Sequence, residues 1–263
     1  MADPADPDGR STSRRLQSVV VHLLGGPHVT YGAERRVVPQ GSKRLLAFVA
    51  LRRDRVERAF AAGTLWPDGD DQRAARNLRS ALWRLRRAGI DVVEADKWSM
   101  TLTADAAVDV HDIVGWADRL VLGAAEPEDL TIGNLPAQSC HLLPGWYDEW
   151  VVMERERVRQ RVLHAMEALS VELAHRGRCA ESVDVATRAV AEDPLRESAQ
   201  RTLVAAHLAH DNLAAARSAY LGFARLLRAE LGVAPSRQLT ELVAGLFVGA
   251  SSRRGALPVA RQA

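Results

Sequence analysis

Apolar residues recur at helical spacing between Arg73 and Arg87. Projected at roughly 100° per residue, Ala74, Ala75, Leu78, Ala81, Leu82 and Leu85 fall on one side, while Arg73, Arg76, Arg79, Ser80, Trp83, Arg84, Arg86 and Arg87 fill the remaining arc. One stripe can face a core while the other is presented outward. The spacing predicts a helix over 73–87 with Asp70 or Asp71 as its cap. Upstream, short apolar runs cut by turn residues predict small antiparallel strands at Val19–Leu24, His28–Thr30 and Arg36–Val38. A helix over 43–52, N-capped by Ser42, and a second over 58–65 ended by Trp66-Pro67-Asp68-Gly69 complete that region. After Gly89, residues 90–94 and 99–102 read as two strands of a hairpin with Lys97 and Trp98 near its tip.

A helix over 110–122 follows, and then Pro127, Gly133, Pro136 and Pro144 break any long regular element. From Trp146 the pattern is helical almost throughout, over 148–175, 180–192, 197–210, 213–231 and 236–247. The stretch starting at Ala174 resembles the one starting at Ala209, an offset of 35 residues. A period near ~34 residues with helix, turn and helix is the tetratricopeptide signature. An ordinary antiparallel helical bundle gives a similar pattern, and either offers grooves suited to a protein segment.

The chain has 263 residues, enough for two domains, and its 47% hydrophobic and 26% charged content is ordinary for a globular protein. Formal net charge is only +2, yet the 73–87 stretch holds six arginines and no acid. Of 35 basic residues only Lys43 and Lys97 are lysine, so arginine is partly a codon habit and its placement counts for more than its number. A merely solvated helix face would alternate signs at i+4; this one does not. No apolar run of membrane-spanning length and no apolar leader segment occurs, so a cytoplasmic location without membrane contact is expected.

Chemistry other than binding finds little support. Cys140 and Cys179 stand without a CxxC, and His141 beside Cys140 has no further ligand at metal spacing. His207 and His210 are three apart on one helix, without the second pair or carboxylate cluster that would complete a metal site. Glu154 and Glu156 are interleaved by Arg155, Arg157, Arg159 and Arg161, the pattern of a salt-bridged helix surface. No GxSxG, no P-loop and no Cys/His arrangement with an evident orienting group appears. No enzyme, catalytic residue, cofactor or metal is expected. Trp146, Tyr147 and Trp150 form an aromatic cluster, expected to pack in a core, with a partner groove as the alternative.

Strands, three helices and a terminal hairpin are the parts of a winged helix, whose third helix enters the major groove while the hairpin touches the flanking backbone. The order of parts resembles the Streptomyces antibiotic regulatory protein family, an OmpR-type winged helix followed by a bacterial transcriptional activator domain of tetratricopeptide-like helices. The match is carried by residues 47–51, Leu65-Trp66-Pro67-Asp68, the run from Asn77 to Arg87, Val108-Asp109-Val110, Leu142 to Trp150, Pro194 to Glu197 and Glu230 to Pro235. It implies an α+β winged helix-turn-helix domain followed by an all-α tetratricopeptide-like domain. The expected layout is a disordered tail over 1–17, the DNA-binding domain over 18–122, a linker over 123–145, the activator domain over 146–249 and a disordered tail over 250–263.

The resemblance further implies a sequence-specific regulator, an activator of a biosynthetic gene cluster, that binds tandem direct repeats in double-stranded promoter DNA and helps recruit RNA polymerase subunits, with homodimerisation on DNA. By position, Arg76, Trp83, Arg84 and Arg86 fall where such winged helices contact DNA. Trp83 departs from the family's small or basic residue there and is expected against sugar or a base methyl. Arginine reads guanine O6 and N7 as a bidentate donor, whereas phosphate contact only positions the protein. Arg76, Arg79 and Arg84 are the expected base readers, with Arg86, Arg87, Lys43, Arg44 and Lys97 on the backbone and Arg73 and Ser80 on the same face. The competing reading is a helical-repeat adaptor with only nonspecific DNA affinity.

Overall fold

Val19–His22 (β1) alternates buried and half-buried positions, and it pairs antiparallel with His28–Tyr31 (β2), which pairs in turn with Glu34–Val37 (β3). The computed structural model describes residues 18–134 and 142–251; the tail expected over 1–17, residues 252–263 of the tail expected over 250–263, and Cys140 with His141 lie outside them. Lys43–Ala50 (α1), Val56–Glu57 (β4), Arg58–Leu65 (α2) and Asp71–Arg87 (α3) follow, then the hairpin of Val93–Ala95 (β5) and Ser99–Leu102 (β6), and Ala106–Val108 (β7). The first sheet runs β3-β2-β1-β7, with β7 parallel to β1, and the second runs β4-β6-β5. The short β4 and β7 have no counterpart in the sequence expectations, because strands of two or three residues carry no periodicity of their own.

The core of this α/β region is formed where α1, α2 and α3 pack together. Leu45, Leu46 and Phe48 of α1, Leu65 of α2, and Leu78 and Leu85 of α3 are almost wholly buried, joined by Ile90 and Met100. Ser42 corrects one expectation. It stands at the N-cap position of α1 but makes no capping bond, and its buried hydroxyl instead donates to the Ala81 carbonyl at 2.8 Å, fastening α1 to α3. Asp70 does cap α3, accepting from the Arg73 amide at 2.6 Å.

Asp109–Val121 (α4) begins with a carboxylate that accepts from the backbone amides of Leu23, Leu24 and Val110 at 2.8–3.1 Å. By its internal contacts the chain forms two units, and the division falls inside α4, between His111 and Asp112. Residues 142–145 return to the first unit. Leu142 and Leu143 are buried there, with a bridge from Leu142 to Leu24 and a bond from the Leu143 amide to the Leu23 carbonyl at 3.1 Å. The segment expected as a linker over 123–145 therefore contributes core residues. Two short 3-10 turns also lie in it, and in the second unit the Asp129 carboxylate accepts two bonds from Arg119 at 2.6 and 2.8 Å.

The second unit continues with Glu149–His175 (α5), Cys179–Glu192 (α6), Glu197–Ala209 (α7), Leu213–Leu231 (α8) and Arg237–Ser251 (α9), so residues 250 and 251 belong to a helix rather than to a tail. Successive helices pack on one another, α5 on α6, α6 on α7 and α7 on α8, with α9 against α7 and α8. The helix ends fix the repeat. After α5 the Gly177 amide donates to Ala174 and the Arg178 amide to Leu173; after α7 the Asp211 amide donates to Leu208 and the Asn212 amide to His207. This is the left-handed helix stop, with positive φ at Gly177 and at Asp211. The two copies are therefore 34 residues apart, not the 35 read from the sequence. Asp211 fills the position that glycine fills in the first copy, so side-chain identity hid the register.

Candidate nucleic-acid interface

Every residue expected on the apolar side of α3 is buried or half-buried, and the eight residues expected on the opposite arc are all exposed. At roughly 100° per residue, Arg76, Ser80, Trp83 and Arg87 lie nearest the line opposite the buried stripe. Arg79 and Arg86 flank that line on one side, and Arg73 and Arg84 on the other. Among the described residues, none of the six arginines of α3 forms an ion pair with a carboxylate. Their charge stays available to a ligand.

Two tryptophans sharpen that surface. Trp83 is 57% exposed, with the Arg87 guanidinium 5.1 Å from its ring centre. Trp98 is 73% exposed, with the Lys97 ammonium at 4.7 Å. Large exposed indoles cost hydration free energy, and each here carries a cation on its face. Lys97, Trp98 and Arg79 line one cleft of about 940 Å³ with α2 and the first half of α3. On the other flank Arg44 and Arg73 share a cleft of about 150 Å³ with the Trp66–Gly69 turn. Arg84 donates to the Gly41 carbonyl at 3.4 Å, which holds its guanidinium toward the start of α1. Lys43 is half-buried in the first turn of α1 and lines neither cleft.

The tip of the hairpin is shaped by a residue that the sequence reading passed over. Asp96 accepts from the backbone amides of Trp98 and Ser99 at 2.7 Å each, from the Ser99 hydroxyl at 3.1 Å and from Arg55 at 3.0 Å. Those bonds, the two amides first, hold its carboxyl down at about 2. Arg58 donates to its carbonyl at 2.8 Å. Asp96 thus fixes the turn that carries Lys97 and Trp98. An aspartate whose side chain reaches amides two and three residues on is an Asx turn, and Asp96-Lys97-Trp98-Ser99 was the readable signal.

Other candidate sites resolve into packing. On α5, Arg157 pairs with Glu154 at 2.7 Å, Arg159 with Glu156 at 2.8 Å and Asp193 at 3.2 Å, and Arg161 with Asp118 at 2.7 Å. Hydrogen bonds from Arg159 and Gln160 hold Glu156 down at about 2. His207 is half-buried and His210 exposed, and burial lowers the His207 pKa. Among the described residues no group of three or more His, Cys, Asp or Glu could hold a metal ion, and no helix is long and apolar enough to cross a membrane. Core packing does not account for the aromatic cluster: Trp146 and Trp150 are half-buried, but Tyr147 is 86% exposed.

Residues 134–246 match the family model of the bacterial transcriptional activator domain. Among curated proteins none matches the chain. Among solved structures, the chain is similar in fold to Mycobacterium tuberculosis EmbR, whose structure was determined in complex with a low-affinity phosphopeptide. That similarity has a TM-score of 0.70 at 21% identity and covers 92% of this chain, which spans 66% of EmbR's length.

Proposed function

We propose that this protein is a sequence-specific DNA-binding transcriptional regulator, an activator of the antibiotic regulatory protein type. The first unit acts as an OmpR-type winged helix, with α3 as recognition helix and the β5–β6 hairpin as wing. The second, built on a 34-residue repeat, acts as a tetratricopeptide-like activator domain toward RNA polymerase. The carrying observation is the outward row of α3: six arginines without carboxylate partners and a tryptophan stacked on one of them, beside a hairpin tip bearing a second tryptophan–cation pair. The match of residues 134–246 to a transcriptional activator domain supports the same reading.

Within the row, the geometry favours a division of labour. Arg76, on the central line, reads a base edge as a bidentate donor. Trp83 packs its ring against sugar or a thymine methyl. Arg84, drawn aside toward Gly41, and Arg79, which flanks the central line, leave the set expected to read bases and join Arg73, Arg86, Arg87, Arg44 and Lys97 in holding the phosphate backbone, with Lys43 at the edge of the same surface. The target is duplex DNA carrying direct repeats at a promoter, bound without nucleotide hydrolysis.

A gel-shift series against promoters flanking the gene, with competitor DNA and rising salt, tests the proposal. Arg76→Ala should cost about 1–3 kcal/mol and relax preference at one base position. Arg84→Ala should weaken all sequences alike and reduce the salt slope by about one. Binding with no preference over random duplex would replace this reading with that of a helical adaptor having only nonspecific affinity.

A further inference from the structure

The second unit carries a groove of about 1040 Å³ lined by α5, α7 and α9 and by the C-terminal end of α4 with the turn after it. Its wall includes Val121, Val171 and Leu242, which leave 53%, 44% and 37% of their surfaces exposed. Ala168 and Ala205 lie among them, and their short side chains leave the space open. Aliphatic side chains gathered in one concave site and left in water mark a binding surface more often than a solvated one.

The carboxylates of the groove, and the Arg176 guanidinium beside them, are paired from within the unit. Glu167 accepts from Arg196 at 2.6 Å and from Ser198 at 2.7 Å, Glu172 from Arg176 at 2.7 Å, and Glu241 from Arg237 at 2.6 Å. Arg201 differs. It is half-buried, it donates one bond at 2.8 Å to the uncharged amide oxygen of Gln238, and among the described residues it pairs with no carboxylate. A guanidinium has five donors in a planar fork, so a single amide partner leaves most of them for a ligand.

We propose that this groove binds a small, mostly apolar molecule bearing one carboxylate, recognised by Arg201. The volume sits at the upper end of the roughly 300–1,000 Å³ occupied by small-molecule sites. The apolar body of the ligand covers Val121, Val171 and Leu242. Its carboxylate accepts a forked pair of bonds from Arg201, the geometry that guanidinium matches best. The three carboxylates lining the groove oppose an anion little, because each already faces its own arginine. The site stands independently of the DNA-binding reading.

Isothermal titration of the full chain with octanoate and with 1-octanol, which share an apolar tail and differ in charge, tests the assignment. Octanoate should bind saturably and at least roughly ten-fold more tightly, the factor one charge-assisted contact supplies. Arg201→Gln should erase that preference while retaining the weaker binding of the alcohol. Ala205→Trp should fill the groove and abolish both, with an unchanged circular dichroism spectrum. If that variant does not fold, Val121→Glu, at an exposed position, blocks the groove by bulk and charge. Absence of saturable octanoate binding, equal affinity for the two probes, a preference that survives Arg201→Gln, or binding that survives a folded blocking variant would overturn the proposal.

Discussion

Helices α3 and α5 are both rich in arginine, and they employ it in opposite ways. On α5, Arg157, Arg159 and Arg161 each face a carboxylate at 2.7–2.8 Å, while Arg155 donates to the Trp146 carbonyl at 3.0 Å. On α3 the only acid is Asp71 in the first turn, and the arginines beyond it meet no carboxylate among the described residues. The first arrangement satisfies its own charge and stiffens the surface. The second leaves positive charge and one indole, Trp83, facing outward, at a cost in self-repulsion. What separates the two helices is whether their arginines meet carboxylates, not how many arginines they carry.

The comparison can be broken most sharply by giving α3 what α5 has. Ser80→Glu places a carboxylate on the outward line, at i+4 from Arg76 and i−4 from Arg84. The helix should be as stable as before, since such pairs contribute only about 0.2–0.5 kcal/mol each. DNA affinity should fall by about 3 kcal/mol, roughly a hundred-fold, because a carboxylate then faces phosphate. Fluorescence anisotropy with a labelled duplex measures it; affinity within two-fold of the parent would remove α3 from the interface.

The converse change is milder. Arg159→Ala removes a guanidinium shared by Glu156 and Asp193, with 28% of the side chain exposed. Stability should drop by about 1 kcal/mol in urea denaturation, and DNA affinity and its salt slope should stay where they were. A drop in affinity would mean that α5 also meets DNA.

Smallest is the response to pH. His28 and His207 both have pKa values lowered from 6.5 by burial, so the unfolded chain takes up protons first as pH falls. Their contribution to stability is complete above pH 6.5 and declines below it. Glu156 is held at about 2 from an ordinary 4.5, so its pairing with Arg159 persists until pH drops below 4.5 and is lost on the way to 2. Melting curves from pH 8 to 3 should show a shallow decline beginning near 6.5 and a steeper one below 4.5. A melting temperature that rises on acidification from 8 to 6 would contradict the histidine assignment.

Much of this was legible in the sequence where one element determines itself. The bounds of α2 and α8 follow from apolar spacing and their flanking breaks, and the buried stripe of α3 from its 3.6-residue period. What escaped depended on a partner far along the chain. Ser42 looked like a helix cap and instead reaches Ala81. The strands β4 and β7 exist only through their pairing with β6 and β1. Spacing alone puts Arg84 on one flank of the exposed arc, but not the bond that ties it to Gly41, 43 residues earlier. Asp96 was readable in principle, since its bonds reach only to Trp98 and Ser99.

The return of Leu142 and Leu143 to the first unit sets an order of events during synthesis. Leu23 and Leu24 leave the ribosome early, but their partners follow only after α4 has emerged. Domains fold as units once their residues are out of the tunnel. The amino-terminal unit therefore completes its packing at Leu23 and Leu24 only after residues 142 and 143 have been made.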